Sequence, residues 1–159
     1  MRSGDIVEFE SNTIIGTIIR WFAPCNHTAL VIAPIDYKKT HERRVIMEAV
    51  GKGVVKVPLS DTLKGFKGKA YLLRLKPEHD KHRESITKWA LKQEGISYDY
   101  SSLFLNLICR VSQNANDFFC SEFAQMAMAH VGLIDSKIKA VRPGEFGQFG
   151  IFKDPIRIM

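Results

Sequence analysis

Three residues far apart in the chain have the types that nucleophilic hydrolysis needs: a thiol at Cys120, an imidazole at His27 and a carboxylate at Glu48. A thiol attacks a carbonyl only as thiolate, and a helix N-terminus with an imidazole beside it is a simple setting that favours that form. Cys120 follows the capping residues Asn116 and Asp117 and precedes Phe123, Met126, Ala127 and Val131 at helical spacing. It is therefore expected in the first turn of a helix that stops near Gly132. In that position its backbone N–H would be one of the unpaired donors of the helix end and could receive an oxyanion. His27 stands at the entrance to Thr28-Ala29-Leu30-Val31-Ile32, a short branched run that reads as a buried strand and would hold the ring still. Glu48 interrupts the apolar run Val45-Ile46-Met47-Glu48-Ala49-Val50, where an unpaired carboxylate is costly. Adjacent strands would set it against His27, completing a thiol, a base and an orienter.

Each of these residues also has a plainer role open to it. A cysteine in an amphipathic helix packs as a small core residue, a histidine at a strand entrance can be half-buried and satisfied, and Glu48 could pair with Arg43 or Arg44. Cys25, two residues before His27, is the rival nucleophile, but a loop offers it no helix dipole. Cys109 sits in the most apolar segment and reads as packing. His41, His79, His82 and His130 lie in charged or helical surface contexts without a second ligand at metal-binding spacing, so no metal and no cofactor are expected. Tyr98-Asp99-Tyr100, just past Gly95, reads either as an ordinary turn or as the lining of a cleft.

The elements that must position these residues follow from periodicity. Asp5-Ile6-Val7-Glu8-Phe9 alternates as an opening strand, and residues 14–22 form an apolar helix that Pro24 stops. Strands are expected over 28–32, 44–50, 53–57 and 70–75, the middle pair joined by Gly51-Lys52-Gly53, with Pro58 and Pro77 as stops. Asp80 caps a helix through Ile86, Trp89 and Ala90 to Gly95, and Ser101 or Ser102 opens another carrying Leu103, Phe104, Leu107, Ile108 and Val111. A short last strand is expected over 156–158. Strands that precede helices, without alternating with them, indicate an α+β fold with an antiparallel sheet packed against helices.

Length and composition limit the alternatives. The 159 residues suffice for one domain with a core of its own, spanning 1–159. A hydrophobic fraction of 45% with 25% charged residues excludes a disordered tail, a fibre and a disulfide-dense miniprotein. The surplus of 23 Lys and Arg over 17 Asp and Glu, net +6, is scattered and lacks an aromatic-interleaved face, so nucleic acid is not an expected partner. Three cysteines leave at least one thiol outside any intramolecular pairing, which suits a reducing compartment or a working thiol. No secretory leader and no span of about 20 apolar residues is visible, so a cytoplasmic location without a transmembrane segment is expected, or a periplasmic or extracellular one if a leader has been removed.

Taken in order, Gly4-Asp5-Ile6-Val7-Glu8-Phe9, Asn26-His27-Thr28-Ala29-Leu30-Val31-Ile32, Val45-Ile46-Met47-Glu48-Ala49, Gly95-Ile96-Ser97-Tyr98-Asp99-Tyr100 and Phe119-Cys120-Ser121-Glu122-Phe123 resemble the YiiX/YaeF-like family of permuted papain-fold cysteine hydrolases, within the NlpC-type superfamily. The resemblance implies a circularly permuted papain-like core, with the histidine early on a strand and the cysteine late on a helix. Its catalytic cysteine, histidine and acidic residue would fall on Cys120, His27 and Glu48. It also implies hydrolysis of amide bonds, with peptidoglycan peptides among the substrates. A related lecithin:retinol acyltransferase branch moves acyl groups on lipids. Pro24-Cys25-Asn26 stands where many relatives carry Tyr or Ser, so the wall before the histidine differs from theirs. The expected activity is a cysteine peptidase or amidase acting on a small peptide, amide or acyl substrate, including peptidoglycan fragments or lipid. Acyl transfer and a non-catalytic binding module are the alternatives. Asn26, Tyr98, Asp99 and Glu122 are expected to contact the substrate, an acidic group there receiving a substrate amine.

Overall fold

Alternating side chains build β1 (Ile6–Ser11), and the other strands are ordered around it. The structure is a computed structural model and describes residues 1–11, 25, 27–32, 44–50, 53–96, 115–139 and 141–159, without the side chains of 115–119. Strands β2 (His27–Ile32), β3 (Val45–Val50), β4 (Gly53–Pro58), β5 (Gly68–Leu73) and β6 (Ile156–Arg157) join β1 in one sheet of order β4-β3-β2-β1-β5-β6. Every adjacent pair is antiparallel. Three helices follow in chain order: α1 (Leu59–Leu63), α2 (Arg83–Lys92) and α3 (Ala115–His130). The α+β class with an antiparallel sheet is therefore the observed one. The expected helices over 14–22 and from Ser101 or Ser102 lie outside the described residues, as does Cys109.

The pleat divides the sheet into two apolar faces. Ile6, Leu30, Ile32, Met47, Ala49 and Leu73 face Ile86 and Ala90 of α2 and Phe123, Ala124, Ala127 and Met128 of α3. Val7, Phe9, Ala29, Val31, Ile46 and Leu72 form the other face, under Leu59 and Leu63 of α1 and the ring of Phe66. Because successive side chains alternate, a slip of one residue in any ladder would exchange these faces. Among the described residues no helix is long and apolar enough to cross a membrane.

Several boundaries differ from expectation for physical reasons. Asp80 does not cap a helix: a 3-10 turn spans Pro77–His82, and the Asp80 carboxylate instead accepts Arg83 Nε at 2.7 Å and Arg2 Nη1 at 2.6 Å. Those hydrogen bonds hold its pKa below the usual carboxylate value. Pro58 ends β4 but also serves as the N-cap residue of the short helix α1. Gly95, with φ +76°, follows α2 as the left-handed stop that the pattern indicates.

Gly68 marks the closest approach in the sheet. A Cβ there would fall on the Glu10 carbonyl oxygen and lie 2.9 Å from Phe66 Cε1, and the ladder between β1 and β5 leaves the backbone no room to retreat. Replacing Gly68 by Ala is expected to destabilise the fold by about 1–3 kcal/mol, measured by urea unfolding. Gly65, whose added Cβ would meet nothing within 4 Å but whose φ is +80°, should cost less on the same replacement.

Candidate active site

His27 is the first residue of β2 and pairs with Phe9 of β1 across the ladder. On the other side, β2 pairs with β3 through Leu30 opposite Met47 and Val31 opposite Ile46. Continued toward the start of β2, that register sets Glu48 diagonally from His27 on the same face. The side chains meet: His27 Nε2 lies 2.6 Å from Glu48 Oε2, with 28% and 12% of the two side chains exposed. Glu48 is thus satisfied by the imidazole, as a carboxylate in an apolar strand must be by some partner.

Cys120 comes from α3, which packs across β2 and β3. It is 1% exposed and is hydrogen-bonded to the His27 side chain. With Nε2 engaged by Glu48, Nδ1 is the ring nitrogen left for the sulfur. Burial opposes a charge on His27, but the hydrogen bonds to Cys120 and Glu48, and then the charges of those two groups, outweigh it and push the pKa up to about 10. The imidazole is therefore held protonated across the neutral range.

Cys120 does not sit in the first helical turn. The helix begins at Ala115, a strong helix former, so Cys120 is in its second turn and Asn116 and Asp117 are first-turn residues and not caps. A residue that far into a helix gives its N–H to the carbonyl four residues back. The Cys120 N–H is consequently not one of the open donors that was expected to receive an oxyanion.

The other sulfur near the site is suppressed. Burial, followed by the carboxylates of Glu8 and Glu10, pushes the Cys25 thiol up to about 12. As a nucleophile Cys25 is inert at neutral pH by comparison with a thiol hydrogen-bonded to an imidazolium. Its backbone N–H bonds Pro143 O, in a turn that Glu8 also holds through the N–H of Gly144 at 2.9 Å and of Phe146 at 3.4 Å. Burial raises Glu8 itself to about 7 despite those two bonds. No local pattern in the sequence distinguishes Glu8 from any other outward residue of an alternating strand.

Of the residues expected to contact substrate, Asn26, Tyr98 and Asp99 lie outside the described residues. Glu122 is described: it is 4% exposed, and among the described residues its Oε2 has no hydrogen-bond partner. Burial alone raises it to about 7. His130 is exposed and stacks on Trp89 at 5.9 Å, while His79 and His82 are half-buried with rings 6.5 Å apart. Among the described residues no group of three or more His, Cys, Asp and Glu is placed to hold a metal ion.

With this geometry in view, comparison with known proteins places the chain. Residues 1–150 match the family described as the permuted papain-like amidase enzyme, YaeF/YiiX, C92 family, and the chain belongs to that family. Among solved structures it is similar to the crystal structure of metalloprotein yiiX from Escherichia coli O157:H7, with a TM-score of 0.57 at 20% identity. That match covers 80% of this chain and 64% of the other, so the chain spans less than two thirds of its neighbour's length. No curated protein matches the sequence. That family's description is of a permuted papain-like amidase, and the antiparallel sheet packed by helices is consistent with its fold.

The buried Glu122 carboxyl gives a pH signature. Its pKa rises from 4.5 to about 7 on folding, so the folded state holds the proton more tightly; the resulting stability is full below 4.5 and is lost as pH rises through 7. Glu122→Gln should therefore match the parent near pH 4.5 and exceed it at pH 8, by on the order of 1 kcal/mol after solvent screening, in urea unfolding at the two pH values.

Proposed function

We propose that the protein is a cysteine-dependent hydrolase of amide or related acyl bonds, with Cys120 as nucleophile, His27 as acid and base, and Glu48 as the group that orients His27. The observation that carries this reading is one imidazole held by a carboxylate through Nε2 at 2.6 Å while it is hydrogen-bonded to a thiol. Nucleophile, base and orienter are recognised by such roles and not by their order in the chain. Membership of an amidase family supports the same reading. The proposal treats residues 1–159 as one hydrolase domain.

In the first half-reaction the Cys120 sulfur, whose proton His27 already holds in the resting site, attacks the amide carbon, giving a tetrahedral oxyanion. The C–N bond then breaks, the amine leaves with the proton from His27, and a thioester to Cys120 remains. In the second half-reaction His27 deprotonates a water that attacks the thioester carbon. The C–S bond breaks, the acid departs and the sulfur leaves as thiolate beside His27, which keeps the proton taken from water. Glu48 accepts from Nε2 throughout, which keeps the other nitrogen toward the sulfur and stabilises the imidazolium. The oxyanion is received by a donor other than the Cys120 N–H, since the helical ladder uses that group. Substrate is a small peptide or amide, contacted by Asn26, Tyr98 and Asp99, whose assignment rests on the sequence. Glu122, neutral below about pH 7, is suited to a hydrogen bond with the substrate side and gains charge for an amine only in alkaline solution.

Cys120→Ala should abolish thioester formation, seen as loss of a trapped acyl-protein mass, while the circular dichroism of the fold is retained; turnover by this variant would end the proposal. In the parent, kcat/KM should fall at alkaline pH as His27 loses its proton near its pKa of about 10. Glu48→Gln should lower kcat/KM by roughly 10²–10⁴ and move that alkaline fall toward neutral pH, because the amide no longer supports the imidazolium.

A further inference from the structure

One residue of β1 touches the site without taking part in the chemistry. Phe9 is 1% exposed, sits opposite His27 in the ladder, and has its ring centroid 5.6 Å from that of the imidazole with the planes 37° apart. A cation within about 6 Å of an aromatic centroid is attracted by the negative face of the π system, and more strongly when both are shielded from water. A neutral imidazole gains no such attraction, so the contact discriminates between the two protonation states. Phe66 meets Phe9 at 5.4 Å and 73°, an edge-on contact that fixes the ring.

Among the described residues, two titratable groups meet the imidazole. Glu48 reaches it from β3 and Cys120 from α3. Glu8 and Glu10 flank Phe9 in sequence but alternate to the opposite face, where Gly144 and Phe146 hold Glu8, and Lys69 and Tyr71 hold Glu10. Phe9 is thus an uncharged wall of a ring that also meets Glu48 and Cys120.

We propose that Phe9 is a positioning residue of the site, which keeps the His27 ring aligned between Glu48 and Cys120 and favours its protonated form through the face of its own ring. The inference rests on the reading of His27 as the acid and base for Cys120, yet it can be measured without any substrate.

The experiment follows the His27 Cε1 proton by NMR titration in the whole chain. It compares the parent, Phe9→Leu, and a protein carrying pentafluorophenylalanine at position 9, which preserves the ring's shape and reverses its quadrupole. Both changes should lower the His27 pKa by about half a unit. With a cleavable amide, the alkaline fall of kcat/KM should shift by the same amount. Phe66→Leu removes a packing contact one ring further out; it should lower the unfolding midpoint and leave the titration in place. If the leucine variant does not fold, the fluorinated protein decides alone. An unchanged His27 titration in the fluorinated protein would overturn the proposal. A shifted titration in a protein that forms no thioester would sustain the Phe9 contact and refute the hydrolase reading, so the two failures are distinguishable.

Discussion

The register of β1 is the constraint on which the site depends, and a buried carboxylate holds it. Asp5, 1% exposed, accepts the backbone N–H of Arg2 at 2.8 Å and of Leu75 at 3.1 Å, together with Arg83 Nη1 at 2.9 Å. Arg83 in turn binds the carbonyls of Ser3 and Leu75 and the Asp80 carboxylate. Gly4 N–H and the Asp5 carbonyl close a ring of bonds with Val31. The start of β1 is thereby tied to β2, to the end of β5 and to α2 at once. A buried pair of this kind is a weak source of net stability, but removing one partner strands the other charge, so alternative registers are strongly disfavoured. With β1 fixed, Phe9 must lie opposite His27, and every alternate residue of β2 and β3 falls on its assigned face.

That parity explains why the site lies at the margin of the sheet. His27 and Glu48 share the face away from α3, whereas the sulfur arrives from α3 itself. Deep within the sheet, two side chains on one face and a third from an element on the other could not meet. At the first residue of β2 the sheet ends, and the imidazole can be approached from both sides. Burial at this margin is partial: enough to strengthen the hydrogen bonds of the ring, while 28% of the His27 side chain remains open to a substrate.

Much of this was legible locally, and the remainder was not for a definite reason. Strand alternation and the Pro and Gly stops indicated all six strands to within a few residues, because period and turn chemistry are local properties. Glu48 was conspicuous as a carboxylate in an apolar strand, His27 as a ring at a strand entrance, and Cys120 as a thiol near the start of an amphipathic helix. What the local signals misjudged depends on distant partners. Asp80 has the type of a capping residue, but Arg83 and Arg2 claim its oxygens. Asn116 and Asp117 have the same type, but Ala115 extends the helix before them. The roles of Asp5, Glu8 and Phe9 arise from partners about 20 to 140 positions away, and no window along the chain contains both members.

The same long-range pairing gives the two sulfurs opposite surroundings. Cys25 and Cys120 are both buried, and a thiol in apolar surroundings is ordinarily inert. The difference between them is the sign of the nearest charge. Cys25 is buried near Glu8 and Glu10, so burial and repulsion act together against its thiolate. Cys120 is instead hydrogen-bonded to an imidazole whose protonated form Glu48 favours. Alternation along β1 produces both environments: its even-numbered carboxylates are directed to the helix face, and Phe9 to the face of the imidazole. A strand that placed a carboxylate at position 9 would add a second carboxylate beside His27 and change its proton affinity again. An apolar ring between two acidic neighbours adds no full charge beside the imidazole, whose hydrogen bonds are to Glu48 and Cys120.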